Sequence, residues 1–199
     1  MAFHEVERGR RLPKVLDTKE IAAMIGRPVC RGLKQTRNRA ILITLWMTGL
    51  RVGELCKMKL SDVPPTPGPF RIIGKGDKER MVYLVKPAWD AIQVWLANRP
   101  KVDSDALWLN RLGTPMDRRS VQRMVVDRGR EVLGKHVTPH MFRHSFATQM
   151  HEKGVDLRVI QELLGHASLD TTMIYTHMAT SRMQSIVETL HPGMAAVKA

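Results

Sequence analysis

The chain has 199 residues, 43% of them hydrophobic, which is enough for one sizeable core, and it carries a formal charge of +13 with an isoelectric point near 10.3. That imbalance argues against a generic soluble enzyme and points to a polyanionic partner, either nucleic acid or an anionic membrane surface. The longest apolar stretch, Ala40 to Met47, is far shorter than the roughly 20 residues a spanning helix needs, so no membrane segment is expected. No apolar run follows the charges of the first eleven residues, and a secretory signal is not expected either. Cys30 and Cys56 form no metal or redox motif, which fits a reducing cytosol.

The charge is unevenly spread. Residues 1–50, 51–100 and 101–150 are net +6, +4 and +4, whereas residues 151–199 are net −1. Attraction for phosphate, salt-sensitive through counterion release, therefore belongs to the first three quarters of the chain.

In chain order, residues 1–35 read as a basic lead-in broken by Pro13, Pro28 and Gly32, with one short helical stretch from Thr18 to Ile25 that Asp17 or Thr18 caps. Arg37 to Met47 reads as a buried helix stopped by Gly49. Val52 to Met58 follows as a second helix after the corner Thr48-Gly49-Leu50-Arg51, which puts Arg51 at a helix start. Pro64, Pro65, Pro67 and Pro69 forbid regular structure, after which Phe70–Ile73 and Met81–Leu84 form a hairpin with Lys75 in its turn. Pro87 opens a helix with Ala88, Ala91, Ile92, Trp95 and Leu96 on one face, and Asp117 caps another from Arg118 to Leu133. Thr138-Pro139 starts a helix that runs to about Lys153, and Asp156–Leu164 is closed by Gly165. Ser168 caps a short helix containing Tyr175, and Ser181–Leu190 makes a last one before His191-Pro192-Gly193. The fold class is mainly α with a small antiparallel β-sheet (α+β).

The most informative stretch is Thr138-Pro139-His140-Met141-Phe142-Arg143, because residues three apart share a helix face and a helix start already favours anions. His140 and Arg143 are thus placed to grip one phosphate. Further along lie Leu163-Leu164-Gly165-His166 and Thr171-Thr172-Met173-Ile174-Tyr175-Thr176-His177; upstream lie Thr48-Gly49-Leu50-Arg51-Val52-Gly53-Glu54 and Gly74-Lys75-Gly76-Asp77-Lys78-Glu79-Arg80. Together, in this order, these motifs resemble the tyrosine recombinases of the phage integrase family, the Xer type especially, from about Leu12 to Pro192.

The resemblance implies the tyrosine recombinase catalytic-domain fold of DNA breaking-rejoining enzymes. It also implies a site-specific recombinase or integrase that cleaves and rejoins strands through a 3′-phosphotyrosine, without metal, ATP or other cofactor. By it the catalytic set is Arg51, Lys75, His140, Arg143, His166 and Tyr175. Arg51 and Arg143 neutralise charge that builds on the nonbridging oxygens. Lys75 protonates the departing 5′ oxygen, and Tyr175 attacks with His140 as base. His166 donates to the scissile phosphate, and Glu54 orients the site. Taken singly, Arg51 is a surface arginine, Lys75 a turn residue and Tyr175 a half-buried aromatic; their joint order is what carries the resemblance.

Other readings fit parts of the sequence. His136, His140 and His144 recur at a metal-ligand spacing, though no Cys or carboxylate completes a set. Val159 to Tyr175 also resembles a helix-turn-helix, as in a noncatalytic DNA-binding regulator, and a type IB topoisomerase would share the chemistry without joining two sites. The four tryptophans read as core rather than base-stacking platforms.

The expected organisation is a lead-in over 1–35 and a catalytic domain over 36–192, with 181–192 a tail helix and no core-binding domain ahead of it. The expected partner is double-stranded DNA in the cytoplasm, at the nucleoid, with a partner recombinase or accessory protein left open. Met183, Ile186, Val187 and Leu190 form one apolar stripe, which buries either on a neighbouring subunit of a tetramer on paired sites or on the chain's own core.

Overall fold

The computed structural model describes residues 15–26, 32–74, 79–165 and 185–191. Helix α1 (Thr18–Ile25) is capped by Asp17, whose side chain accepts from the Glu20 amide while Glu20 reaches back to the Asp17 amide. Helix α2 (Leu33–Thr48) is the centre of the fold. Every residue from Ala40 to Leu50 is buried, so this helix is apolar all round and needs neighbours on every side. It begins a turn earlier than the apolar pattern indicates, because Leu33–Gln35 form an exposed first turn that burial cannot reveal.

Helix α3 (Val52–Lys57) follows directly, and a single 3₁₀ turn at Leu60–Asp62 leads to the proline-rich loop. Strands β1 (Gly68–Ile73) and β2 (Glu79–Leu84) pair antiparallel in a two-stranded sheet, with Phe70 opposite Val82 and Ile72 opposite Arg80. Helix α4 (Lys86–Asn98), with Pro87 in its first turn, packs along α2 and contributes Ala88, Ala91, Ile92 and Trp95 to the core. Helix α5 (Arg118–Leu133) has the Asp117 cap, and α6 (Pro139–Glu152) has the Thr138 cap. Helix α7 (Leu157–Leu164) ends on Gly165 in the left-handed conformation. This is the α+β architecture the sequence indicates, and the short helix read around Tyr175 lies outside the described residues.

Between α4 and α5, Ala106–Leu109 is buried although the chain there forms only isolated bridges, Lys59 to Ala106 and Leu109 to Pro115. The Trp95 indole donates to the Leu107 carbonyl at 2.8 Å, which fixes this segment against α4. Trp46, Trp95 and Trp108 are all fully buried, as their periodic setting implies, while Trp89 is partly buried and donates to the Pro64 carbonyl.

Two ends of the chain pack differently from the linear reading. Of the 1–35 lead-in, residues 15–26 join the core: Leu16, Ile21 and Met24 are buried, and Ser145 and Gln149 of α6 bind the Leu16 backbone. At the other end residues 185–190 are helical, and Val187 and His191 are buried on the chain's own core, with Ile186 and Leu190 packed beside them. This described part of the stripe takes the self-packing course.

His191 locks that last helix in place. Its ring lies edge-on to Trp46, 5.1 Å between centroids, and Nε2 donates to the Trp46 carbonyl at 3.2 Å. Burial pushes its pKa down from 6.5 to about 4, against the opposing pull of that bond. Between those values the unfolded chain binds the proton and the folded chain does not, so stability is full above pH 6.5 and falls as pH drops toward 4. The loss reaches about 3 kcal/mol. Urea unfolding at pH 7 and pH 4.5 is expected to show this component in the parent and not in His191→Gln; an identical pH dependence in the variant would contradict it.

Candidate active site

The corner Thr48-Gly49-Leu50-Arg51 sets the geometry. Gly49 takes φ +61 at the end of α2, and a Cβ there would stand 2.7 Å from Leu164 Cδ2. Its left-handed turn aims the Gly49 carbonyl at α6, where Arg143 Nη1 donates to it at 2.7 Å. Two residues later Arg51 sits at the N-terminus of α3. Its amide donates to Glu54 Oε2 at 2.8 Å, and its Nη1 pairs with Glu54 Oε1 at 3.0 Å.

A second arginine reaches the same carboxylate from the hairpin. Arg80 faces the core on β2 and donates from Nη1 and Nη2 to Glu54 Oε1 and Oε2 at 3.0 and 3.1 Å. The two arginines differ in access: the Arg80 and Glu54 side chains are each 7% exposed, and Arg51 is 41% exposed. Burial by itself would raise the Glu54 carboxyl. The Arg80 bonds and charge, then the Arg51 bonds, outweigh it and hold the group below its ordinary value.

All three arginines converge on the last turn of α7. Arg80 Nε donates to the Leu163 carbonyl (3.3 Å), Arg143 Nη2 to Leu164 (2.6 Å) and Arg51 Nη2 to Gly165 (3.1 Å). A helix C-terminus leaves these carbonyls without intrahelical donors and carries partial negative charge, so cations are favoured there. Three guanidiniums against one carboxylate leave a surplus of positive charge. Arg143 registers it: burial, then the nearby charges of Arg51 and Arg80, against Glu54, push its pKa down to about 10, which still leaves it protonated at neutral pH. The arrangement is suited to an anion reached through Arg51.

Gly165 is required at the join. It has φ +64, and a Cβ would stand 2.5 Å from Arg80 Cδ. Gly165→Ala is expected to destabilise by about 1–3 kcal/mol through the left-handed penalty and the displaced Arg80. A Tm lower by roughly 3–10 °C checks this for a chain of this size; an unchanged Tm would refute it.

The structure thus brings Arg51 and Arg143 together with Glu54. His140 is exposed, outside that hydrogen-bonded cluster, with its ring edge-on to His144 at 4.6 Å. Burial, then His140 and Arg143, lower the His144 pKa. His136 precedes the Thr138 cap, so helical spacing does not carry it onto a face with His140 and His144. Lys75, His166 and Tyr175 lie outside the described residues. The Cys56 thiol, pushed up to about 11 by burial and then Asp117, against Arg118, is protonated at neutral pH. Arg80 is the member of the cluster that the linear reading passed over. The signal for it was strand alternation, since Arg80 shares the inward face of β2 with Val82 and Leu84.

The fold of this chain is similar to that of the XerA recombinase. That crystal structure has TM-score 0.71 and 36% identity, covering 89% of this chain and 66% of that one. XerH site-specific recombinase bound to its difH substrate matches with TM-score 0.69 and 31% identity over 88% of this chain and 54% of that one. Residues 14–182 match the model of the phage integrase family, and the chain belongs to that family. Among its relatives, tyrosine recombinase XerD of Halalkalibacterium halodurans is 40% identical over 189 residues, 92% of this chain and 63% of the relative. Tyrosine recombinase XerC of Pelobacter propionicus is 44% identical over 188 residues, 94% of this chain and 62% of the relative. The chain thus spans a little under two thirds of the length of these curated relatives.

Proposed function

We propose that the chain carries the catalytic part of a site-specific DNA recombinase that cleaves and rejoins strands through a phosphotyrosine, without metal or ATP. The observation that carries this reading is the convergence of Arg51 and Arg143, from separate elements, with a charge surplus beside an accessible guanidinium. Two such forks supply the charge neutralisation that many phosphoryl-transfer enzymes take from a metal ion.

In this reading the Tyr175 phenolic oxygen attacks the phosphorus and displaces the 5′ oxygen. His140 takes the phenol proton, Lys75 delivers a proton to the departing oxygen, and His166 donates a hydrogen bond to the phosphate. The phosphotyrosine keeps the energy of the broken bond, so attack by a 5′ hydroxyl from another strand regenerates Tyr175 and a phosphodiester. The partner is double-stranded DNA, at the nucleoid in the cytoplasm. Strand exchange takes place between copies assembled as a tetramer on paired sites, with a partner recombinase or accessory protein as a further participant to be sought.

The test is incubation with nicked duplexes drawn from a genomic library, in which the short product diffuses away and traps the adduct. A covalent protein–DNA band on a denaturing gel, undiminished by EDTA, is expected. DNA binding itself is expected to weaken steeply with salt, by roughly 10³–10⁵ between 50 and 200 mM if some 6–10 phosphates are contacted. Loss of the band in EDTA with binding intact would overturn the metal-free mechanism, and tight binding with no band would favour a noncatalytic regulator.

A further inference from the structure

Glu54 is saturated. An ionised carboxylate has about four acceptor sites, and four donors fill them here: Arg51 Nη1 and Arg80 Nη1 on Oε1, Arg80 Nη2 and the Arg51 amide on Oε2. Arg80 supplies two of the four, from a nearly inaccessible position. If Arg80 is taken away, half of a buried carboxylate is left empty. The cation within reach is Arg51, whose guanidinium now gives that carboxylate a single bond and spends another nitrogen on Gly165. A bidentate fork–fork pair is the stronger arrangement, so Arg51 would rotate onto Glu54, leave the α7 carbonyl and lose the edge it offers to an anion.

We infer that Arg80 is a positioning residue of this site. By occupying Glu54 it keeps the Arg51 guanidinium oriented for phosphate, and by bonding Leu163 it ties strand β2 to the end of helix α7. The inference rests on the recombinase reading for what Arg51 meets, and on geometry alone for how Arg51 is held. Arg80 touches no phosphate in this account. Its role passes through Glu54 and Arg51, so the charge it balances is the quantity to perturb.

The experiment compares the parent with Arg80→Met, Arg80→Lys, Glu54→Gln and the double variant Arg80→Met/Glu54→Gln on nicked duplex. Single-turnover cleavage rate and DNA Kd are read separately. Arg80→Met is expected to cleave on the order of a hundredfold more slowly, the cost of one misplaced donor, with Kd changed by less than about threefold because other phosphate contacts carry affinity. Removing the Glu54 charge as well releases Arg51, so the double variant is expected to cleave about tenfold faster than Arg80→Met, a coupling that a merely structural role would not produce.

Arg80→Lys keeps the charge without the fork and is expected to lie between parent and Arg80→Met. It stands in, paired with Arg80→Lys/Glu54→Gln, if Arg80→Met does not fold. Cleavage by Arg80→Met within threefold of the parent, or purely additive losses in the double variant, would overturn the inference. If the parent itself forms no adduct, the recombinase reading fails and the crystal structure of Arg80→Met decides this point. Arg51 bidentate on Glu54 and detached from Gly165 supports the inference, and Arg51 unmoved refutes it.

Discussion

Arg143→Ala is expected to lower the rate of covalent adduct formation on the order of a thousandfold or more while leaving DNA binding within about an order of magnitude of the parent. The guanidinium is buried and pinned by two carbonyls, Gly49 and Leu164, so its orientation is set before any substrate arrives. Preorganised charge of this kind stabilises a transition state because nothing has to reorient as negative charge develops. Truncation also strands both carbonyls, at about 1–3 kcal/mol each if water does not enter. A thermal melt therefore accompanies the kinetics, and only folded variant is scored. Arg143→Lys restores charge without the planar fork and is expected to recover little. Cleavage by folded Arg143→Ala within tenfold of the parent would remove Arg143 from the machinery.

Tyr175→Phe is expected to abolish the adduct completely. The attacking oxygen is lost, and the Cys56 thiol is held protonated by burial. The net positive charge lies in residues 1–150, away from Tyr175, so DNA binding and its salt dependence are expected to match the parent. An adduct formed at even a few per cent of the parental rate would mean that another side chain attacks.

The elements that could be read from the linear chain are those whose signals are local. Asp117 and Thr138 cap their helices as their residue types indicate, Gly49 and Gly165 close theirs in the left-handed conformation, and the hairpin strands fall where apolar residues flank a glycine turn. What was hidden depends on long-range packing. Ala106–Leu109 is buried through isolated bridges and a tryptophan hydrogen bond, none of which leaves a periodic trace. Leu16 to Ile25 reads as a lead-in because its anchor, Ser145 and Gln149, lies more than a hundred residues away.

The site divides in the same way. Arg51 and Arg143 are legible through their motifs, Arg51 at the N-cap of α3 and Arg143 in the second turn of α6. Their meeting on α7 could not be inferred from spacing, because three carbonyls of one helix end are claimed from three other elements. Arg80 was missed because a charged residue at the edge of a strand is ordinarily solvated. Its inward register becomes visible only when β2 is extended back to Glu79. His140 and Arg143, three residues apart on α6, differ in access, Arg143 being buried in the cluster and His140 exposed beside His144.

Peptide mapping of the trapped adduct identifies the attacking atom. The chain is incubated with nicked duplex in EDTA, the covalent species is isolated under denaturing conditions, nuclease and protease digestion follow, and the nucleotide-bearing peptide is sequenced by mass spectrometry. A nucleotide 3′-phosphate is expected on the Tyr175 oxygen and on no other residue. A 5′-linked nucleotide, attachment to any other side chain, or the absence of adduct under conditions in which DNA is bound would contradict it.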